Sequence, residues 1–327
     1  MPAKNKYLFG PVPSRRLGRS LGIDLTPFKT CSFDCIFCQL GRTTCLTTDR
    51  AEYVPVAAVI DELDAWLKND GQADIITFAG SGEPTLHSGI GEIITHLKKQ
   101  TQIPVAVLTN GSLLHLPETR KSIALADIVK VSLSAWNDAS LQTINRPAAS
   151  LDFSSLVAGE RLFRQEFSGQ LWMEVFVLDG INSSPEQMQR VAETAKTIAP
   201  DRIQLNTAVR PPAESYVKAV VSDKLSELCH LFGSRAEVIA DFNFAANPKV
   251  KADENAIFEM LQRRPCTAKQ IADVFGMHLN EVAKFTGMLL RSGKIISVLQ
   301  NGEIYYTIEK NAANNLINGK KSGIKNE

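Results

Sequence analysis

The sequence contains no long apolar run. No uninterrupted stretch approaches the roughly 20 apolar residues that a membrane-spanning helix needs. The N-terminal MPAKNKYLFGPVPSRR has no apolar segment of signal-peptide length, so the expectation is a cytoplasmic protein with no membrane partner. A surplus of one charge is missing too: 36 Lys and Arg against 35 Asp and Glu leave a formal charge of +1. No global field draws the chain to nucleic acid or anionic lipid, and such a partner would need a local patch. Cysteine is sparse, with six in 327 residues. In a reducing compartment six cysteines do not make a disulfide framework, and clustered ones point to metal or catalysis. The remainder is ordinary for a soluble globular chain, with 44% apolar and 22% charged residues. Its length suits a barrel-sized domain plus a small one.

From about residue 20 to 232, short β-branched runs alternate with amphipathic stretches. Strands are predicted at 22–26, 74–79, 104–109, 128–133, 171–178 and 202–206. Helices are predicted at 56–68, 90–99, 116–126, 153–167, 185–198 and 223–232. The strands read as near-continuous apolar runs, which indicates burial on both faces. Six strand–helix units in a row predict an α/β fold with a parallel sheet and outer helices. Periodicity leaves an open doubly wound sheet and a partial barrel both standing. Beyond residue 241 the character changes. Helices are predicted at 254–262, 267–275 and 279–291, then strands at 295–299 and 304–308 around Asn301-Gly302, a pair suited to a type I′ turn. The division expected is a first domain over 1–240, a linker over 241–252, a small C-terminal winged-helix domain over 253–310 and a disordered tail over 311–327.

The strongest chemical signal is Cys31-Ser-Phe-Asp-Cys35-Ile-Phe-Cys38. Iron–sulfur cubanes are held by thiolates, usually four. Three cysteines within eight residues ligate three irons and leave the fourth open, by the logic of an open catalytic metal position. A structural zinc site is one alternative, but it wants four ligands in paired spacing. Cys45 is the one spare cysteine nearby, and His87, His96 and His115 are scattered. Three unrelated core cysteines are the other alternative.

The C-x3-C-x-aromatic-C pattern, with Phe37 before its last cysteine, directly follows the first predicted strand. It resembles the signature of the radical S-adenosylmethionine (SAM) superfamily. Phe78-Ala-Gly-Ser-Gly-Glu-Pro-Thr85 resembles that superfamily's glycine-glycine-glutamate-proline motif, with Ser81-Gly82-Glu83 in its place. The resemblance covers about residues 20–212 and implies a partial (βα)6 TIM-like barrel. It implies a [4Fe–4S] cluster on Cys31, Cys35 and Cys38, with the amino and carboxylate groups of SAM on the open iron. It also implies a reductant such as flavodoxin or ferredoxin, whose electron splits SAM to methionine and a hydrogen-abstracting 5′-deoxyadenosyl radical. Gly82 would let backbone approach the cofactor, and backbone carbonyls or Glu83 would accept from the ammonium of SAM. Taken alone, the segment also reads as an ordinary glycine turn. In barrels of this kind the site lies at the C-terminal ends of the strands. That rule nominates Asn110 between Thr109 and Gly111, then Ser132, Ser134, Glu174, Asn206, Thr207 and Arg210. Asn110 and Ser132 are by analogy the first candidates for contacts to the ribose or methionine of SAM, and each equally suits a turn or cap.

Further segments resemble a narrower group, the iron–sulfur oxidoreductases related to the wyosine-forming tRNA enzyme. They are Gly10 to Gly22, Cys38-Gln-Leu-Gly-Arg42, Ile144-Asn-Arg-Pro147 and Gln204 to Pro212. The wyosine enzyme carries additional cysteines for a second cluster. Here Cys45, Cys229 and Cys266 lie far apart, which argues against wyosine synthesis. Arg15, Arg16 and Arg19 before the first strand, with Arg146 and Arg210 at the expected barrel mouth, could clamp a phosphate or carboxylate. Solvated charge or pairing with acids is the alternative.

A helix-turn-helix layout over 272–291 suggests nucleic acid. Yet residues 253–310 hold seven Lys and Arg and seven Asp and Glu, and the second helix opens with Asn280, Glu281 and Lys284. Phosphate neutralisation dominates affinity for DNA, so a neutral module binds it weakly; protein docking and cover for the barrel stand beside that reading. His278 reads as a packing or capping residue, and Tyr305-Tyr306 as a wing strand with one ring inward. The leading function is a radical SAM enzyme, with RNA or a nucleotide-like molecule narrowly ahead of a peptide or protein as substrate. The competing function is an iron–sulfur redox sensor that regulates transcription.

Overall fold

The computed structural model describes residues 6–14, 17–69, 71–239, 254–300 and 302–309. Arg15, Arg16, Asn301, the predicted linker and the predicted tail lie outside the described residues.

The first ten strands are β1 (Leu8–Ser14), β2 (Gly18–Ile23), β3 (Thr30–Cys31), β4 (Cys45–Leu46), β5 (Ile75–Phe78), β6 (Val105–Leu108), β7 (Ile128–Ser132), β8 (Gln170–Val177), β9 (Arg202–Thr207) and β10 (Ala236–Val238). Eight of them form one sheet in the order β1-β2-β5-β6-β7-β8-β9-β10. Every neighbouring pair from β2 to β10 is parallel, while β1 runs antiparallel to β2. The helices that alternate with them are α1 (Val56–Lys68), α2 (Ile90–Gln100), α3 (Pro117–Ile123), α4 (Asp138–Ile144), α5 (Phe153–Glu166), α6 (Pro185–Ile198) and α7 (Ser222–Cys229). This is the α/β class expected, with a mostly parallel central sheet.

Local chemistry explains the elements. All four residues of β5 are buried, as a two-sided strand requires, and its Ile75, Ile76 and Phe78 side chains each contribute roughly 1.5–3 kcal/mol on burial. In α1, Val56, Val59 and Leu63 share one buried face, the spacing of an amphipathic helix. Ser184 caps α6 in a capping box with Gln187, and Pro185 stands in the first turn. Strand and helix faces meet in one continuous core that runs from Leu8 to Phe232.

Three differences from the sequence reading have physical causes. Strand β1 contains Pro11 and Pro13, which an interior strand rejects; at the sheet edge their missing donors cost little. Strand β2 begins at Gly18 rather than Gly22, because its polar start is paired with β1 on one side and β5 on the other. Arg19 there forks onto Asp74, with Nη2 2.8 Å and backbone N 2.7 Å from the carboxylate. It is a strand-to-strand tie, not the anion clamp expected of the basic segment.

The remaining elements are α8 (Glu254–Arg263), β11 (Cys266–Thr267), α9 (Ala268–Phe275), α10 (Leu279–Arg291), β12 (Ile296–Gln300) and β13 (Glu303–Thr307). Strands pair in the order β11-β13-β12, and Ile257, Leu261, Ile271, Val282, Leu289 and Ile295 form a core of their own. His278 caps α10, accepting from the Asn280 N–H, with Glu281 completing the box. The Tyr305 ring is buried, and its hydroxyl donates to the Val209 carbonyl 2.9 Å away, in the loop after β9. Among the described residues no helix is long and apolar enough to cross a membrane.

Candidate functional site

The cysteine loop has little regular structure beyond the β3–β4 ladder, so other segments must shape it. The Asp34 N–H donates to the Asn145 and Arg146 carbonyls at 3.0 and 3.1 Å, and the Ile36 N–H to the Ile144 carbonyl at 3.0 Å. The Ala148 N–H reaches Ser32 at 2.9 Å, and the Glu214 N–H reaches Ile36 at 3.0 Å. Charge tightens this template. Arg42 lies 2.7 Å from both Asp34 and Glu214, and Arg146 binds the same Glu214 oxygen at 2.5 Å. Both carboxylates are nearly buried, at 8% and 7% exposure. Segments around Arg42, Arg146 and Glu214, remote in sequence, therefore converge on the loop. Arg146 serves this knot of charges instead of standing open to an anionic ligand.

Every cysteine sulfur of the loop meets a donor. Asn110 Nδ2 is 3.7 Å from Cys31 Sγ, with the Phe33 N–H at 3.5 Å. Asn145 Nδ2 is 3.3 Å from Cys35 Sγ, and Lys29 Nζ is 3.1 Å from Cys38 Sγ. Burial pushes the Cys31 thiol up to about 12, helped by the nearby Glu83 carboxylate, and raises Cys35 in the same direction. The free thiols of Cys31 and Cys35 stay protonated, and their thiolates need cationic iron as well as these donors. Burial alone would lower the Lys29 ammonium, but the sulfurs outweigh it and hold the group above its ordinary value. Neither Lys29 nor Asn145 was nominated from the sequence. Its place two residues before Cys31 is the signal that marks Lys29; Asn145 is 110 residues from Cys35, and only the resemblance of the Ile144–Pro147 segment hinted at it.

The Ser81-Gly82-Glu83 segment braces this loop. A Cβ on Gly82 would stand 1.8 Å from the Thr30 carbonyl oxygen, so the glycine permits close approach to the cysteine loop. The Glu83 N–H then donates to that carbonyl at 3.1 Å. Glu83 is buried, and its oxygens accept from Thr85 N–H and hydroxyl, the Thr109 hydroxyl and the Asn110 N–H. It cross-links the ends of β5 and β6, with both oxygens accepting hydrogen bonds from within the chain. Ser81 donates its hydroxyl and N–H to Asp24. Asn110 also donates to Ser32 Oγ at 2.8 Å, so its amide is turned to the loop.

Beside Cys38 lies a cavity of about 290 Å³ lined in part by Phe37, Glu174, Asn206 and Arg210. Phe37 stacks on Phe176 with centroids 4.2 Å apart. Glu174 pairs with Lys130 at 2.9 Å and accepts from Asn206 Nδ2 at 3.2 Å. Four residues nominated at strand ends, Glu174, Asn206, Thr207 and Arg210, are thus brought together with Phe37. Ser132 and Ser134 are not among the lining residues. Ser132 ends β7 opposite Glu174 in the ladder, and Ser134 is buried, accepting from the Phe176 N–H. Among the described residues no three His, Cys, Asp or Glu side chains converge on a point that could hold one metal ion. A cubane assigns each thiolate to a different iron, so its ligands need no such convergence, and the donors at the three sulfurs fit its anionic ligand set.

A mostly parallel α/β sheet with a three-cysteine loop after its first parallel strand defines a class, and the comparison with known families agrees. The model of the radical SAM superfamily matches residues 25–195, and the chain belongs to that superfamily. Its members bind a [4Fe–4S] cluster and SAM. More particularly, the chain is 30% identical over 308 residues to a UPF0026 protein of Methanocaldococcus jannaschii, covering 91% of this chain and 94% of that one. It is 38% identical over 309 residues to a protein of Brachyspira hyodysenteriae named GTPase Obg, covering 93% of this chain but 45% of that relative's length. A radical SAM methyltransferase from Sphaerobacter thermophilus shares the fold, with a TM-score of 0.53, 16% identity and coverage of 68% of this chain and 67% of that one.

Proposed function

We propose that this chain is a cytoplasmic radical SAM enzyme in which Cys31, Cys35 and Cys38 hold the cluster. The single observation that carries the assignment of ligands is the donor found at each of those sulfurs. When bound, the cluster would supply the electron for reductive cleavage of SAM and so for hydrogen abstraction from a substrate. The residues of the chain do the rest. Lys29, Asn110 and Asn145 stabilise the thiolates. Phe37, Glu174 and Asn206 line the space beside Cys38 and orient the cofactor there. Ser81, Gly82 and Glu83 hold the loop in place from behind.

Residues 1–240 form a partial (βα)6 TIM-like barrel in this reading, and 253–310 form a winged-helix domain. A flavodoxin or ferredoxin is the electron donor. A nucleotide-like molecule or RNA is the favoured substrate, and a peptide or protein the alternative. Anaerobic reconstitution with iron, sulfide, dithionite and SAM tests the core of the proposal. Wild type and Cys45→Ala, whose thiol is exposed outside the loop, should form 5′-deoxyadenosine, and Cys35→Ala should form none. An iron-loaded wild type that makes no 5′-deoxyadenosine would favour the redox sensor.

A further inference from the structure

A second cavity, of about 240 Å³, lies between the sheet and α8 and meets the first at Gln39, Leu108 and Arg210. Ser20 and Thr77 on β2 and β5 line it, joined to each other by a 2.7 Å hydrogen bond. The Phe9 ring of β1 lies close against Gly22, where a Cβ would sit 2.0 Å from it. That ring carries the Arg263 guanidinium 3.9 Å from its centre. Arg264, from the same helix, and Arg210, after β9, complete the set of cations. Among the described residues no Asp or Glu lines it.

The charges around Arg263 can be followed one by one. Its Nη1 donates to the Glu259 carbonyl of its own helix at 3.1 Å, while its buried Nε meets no acceptor among the described residues. Asp24 faces it from the end of β2, already engaged by Ser81, and Glu259 faces it from α8. Burial still outweighs both acids and lowers the guanidinium from its ordinary value. Arg210 donates to Gln39 at 3.0 Å, and Arg264 Nη2 lies 3.4 Å from the Met260 sulfur. A buried guanidinium N–H without an acceptor, as at Arg263 Nε, is costly until an acceptor joins it.

We propose that this cavity is the subsite for an anionic group of the substrate, phosphate or carboxylate, gripped by Arg210, Arg263 and Arg264. The inference rests on the reading above that the chain is a radical SAM enzyme acting on a substrate beside the cluster. Forked guanidinium donors fit either anion. The subsite also gives the C-terminal elements a task despite their balanced charge: α8 supplies two of the three cations. Tyr305 on the Val209 carbonyl pins those elements beside Arg210. Because the cavities join one residue from Cys38, a molecule anchored by its anion extends toward the cluster.

The test titrates reconstituted full-length protein with inorganic phosphate, pyrophosphate, acetate and citrate by calorimetry, with 5′-deoxyadenosine formation measured on the same preparation. Saturable binding of a phosphate or a carboxylate probe is expected, and the arm that binds identifies the anion. Arg263→Gln and Arg264→Gln should each weaken it about tenfold or more, Arg263→Lys should restore part of it, and Arg19→Gln should leave it unchanged. The two single variants are read separately, with thermal unfolding as the check on folding, so a misfolded one leaves the other to decide. No saturable binding by wild type, or undiminished binding in a folded variant of either arginine, overturns the subsite. Intact anion binding without SAM cleavage supports the subsite and overturns the enzyme reading.

Discussion

The Lys29 ammonium lies 3.1 Å from the sulfur of Cys38, and the residue is 3% exposed. Its backbone stands at φ 58°, a left-handed conformation that costs a side-chain-bearing residue about 1–2 kcal/mol. A glycine would sit there without strain, so the cation is what the position retains. A buried positive charge beside a thiolate favours the reduced, more negative state of a cluster. Lys29→Met should lower the midpoint potential by on the order of 100 mV, the scale of one charge at short range in a partly screened interior. Lys29→Arg should shift it less. Potentiometric titration followed by electron paramagnetic resonance reads the difference, and an unchanged potential would remove Lys29 from the electrostatics of the site.

Gly82 has its closest neighbour in the Thr30 carbonyl, 1.8 Å from where a Cβ would be. Backbone cannot yield as a side chain can, so Gly82→Ala should push the cysteine loop aside. The expected cost is about 1–3 kcal/mol of stability, together with loss of iron from the purified protein. Urea unfolding and iron per chain measure the two effects. A variant that keeps full iron and full stability would show that the loop does not depend on this approach.

Glu160 on α5 is fully buried against Gly111, and neither of its oxygens has a hydrogen-bond partner among the described residues. Burial raises its carboxyl well above the ordinary range, so the folded chain keeps it neutral while the unfolded chain ionises it from about pH 4 upward. Below that pH both states are protonated and the group favours neither. Above it the unfolded state releases the proton first, and stability falls as pH rises toward the folded value. Glu160→Gln should remove this decline between pH 4.5 and 7. Unfolding free energies at the two pH values decide it, and equal declines in both proteins would mean that the carboxyl is not the source.

Much of the α/β unit was legible because hydrophobic periodicity is local. Predicted helices 56–68 and 185–198 coincide with α1 and α6. Strands β1 and β10 and helix α4 were not anticipated. β1 reads as a loop for its prolines, β10 is three residues long, and α4 has seven residues starting from a cap at Asn137. At the site, proximity to a strand end pointed to Asn110, which the fold sets beside Cys31, and to Glu174 and Asn206, which it sets in the cavity beside Cys38. It failed to separate them from Ser134, because which way an end residue turns depends on the segment packed over it.

Three cysteines in eight residues have no choice but to share one loop, so their grouping was determined by the sequence itself, as was the alternation that builds the sheet. Only the tertiary structure decided what meets the sulfurs and what closes the mouth. Asn145 comes to Cys35, and Arg263 to Phe9, across long stretches of chain. Such meetings depend on strand order and helix packing, which no local pattern of residues encodes.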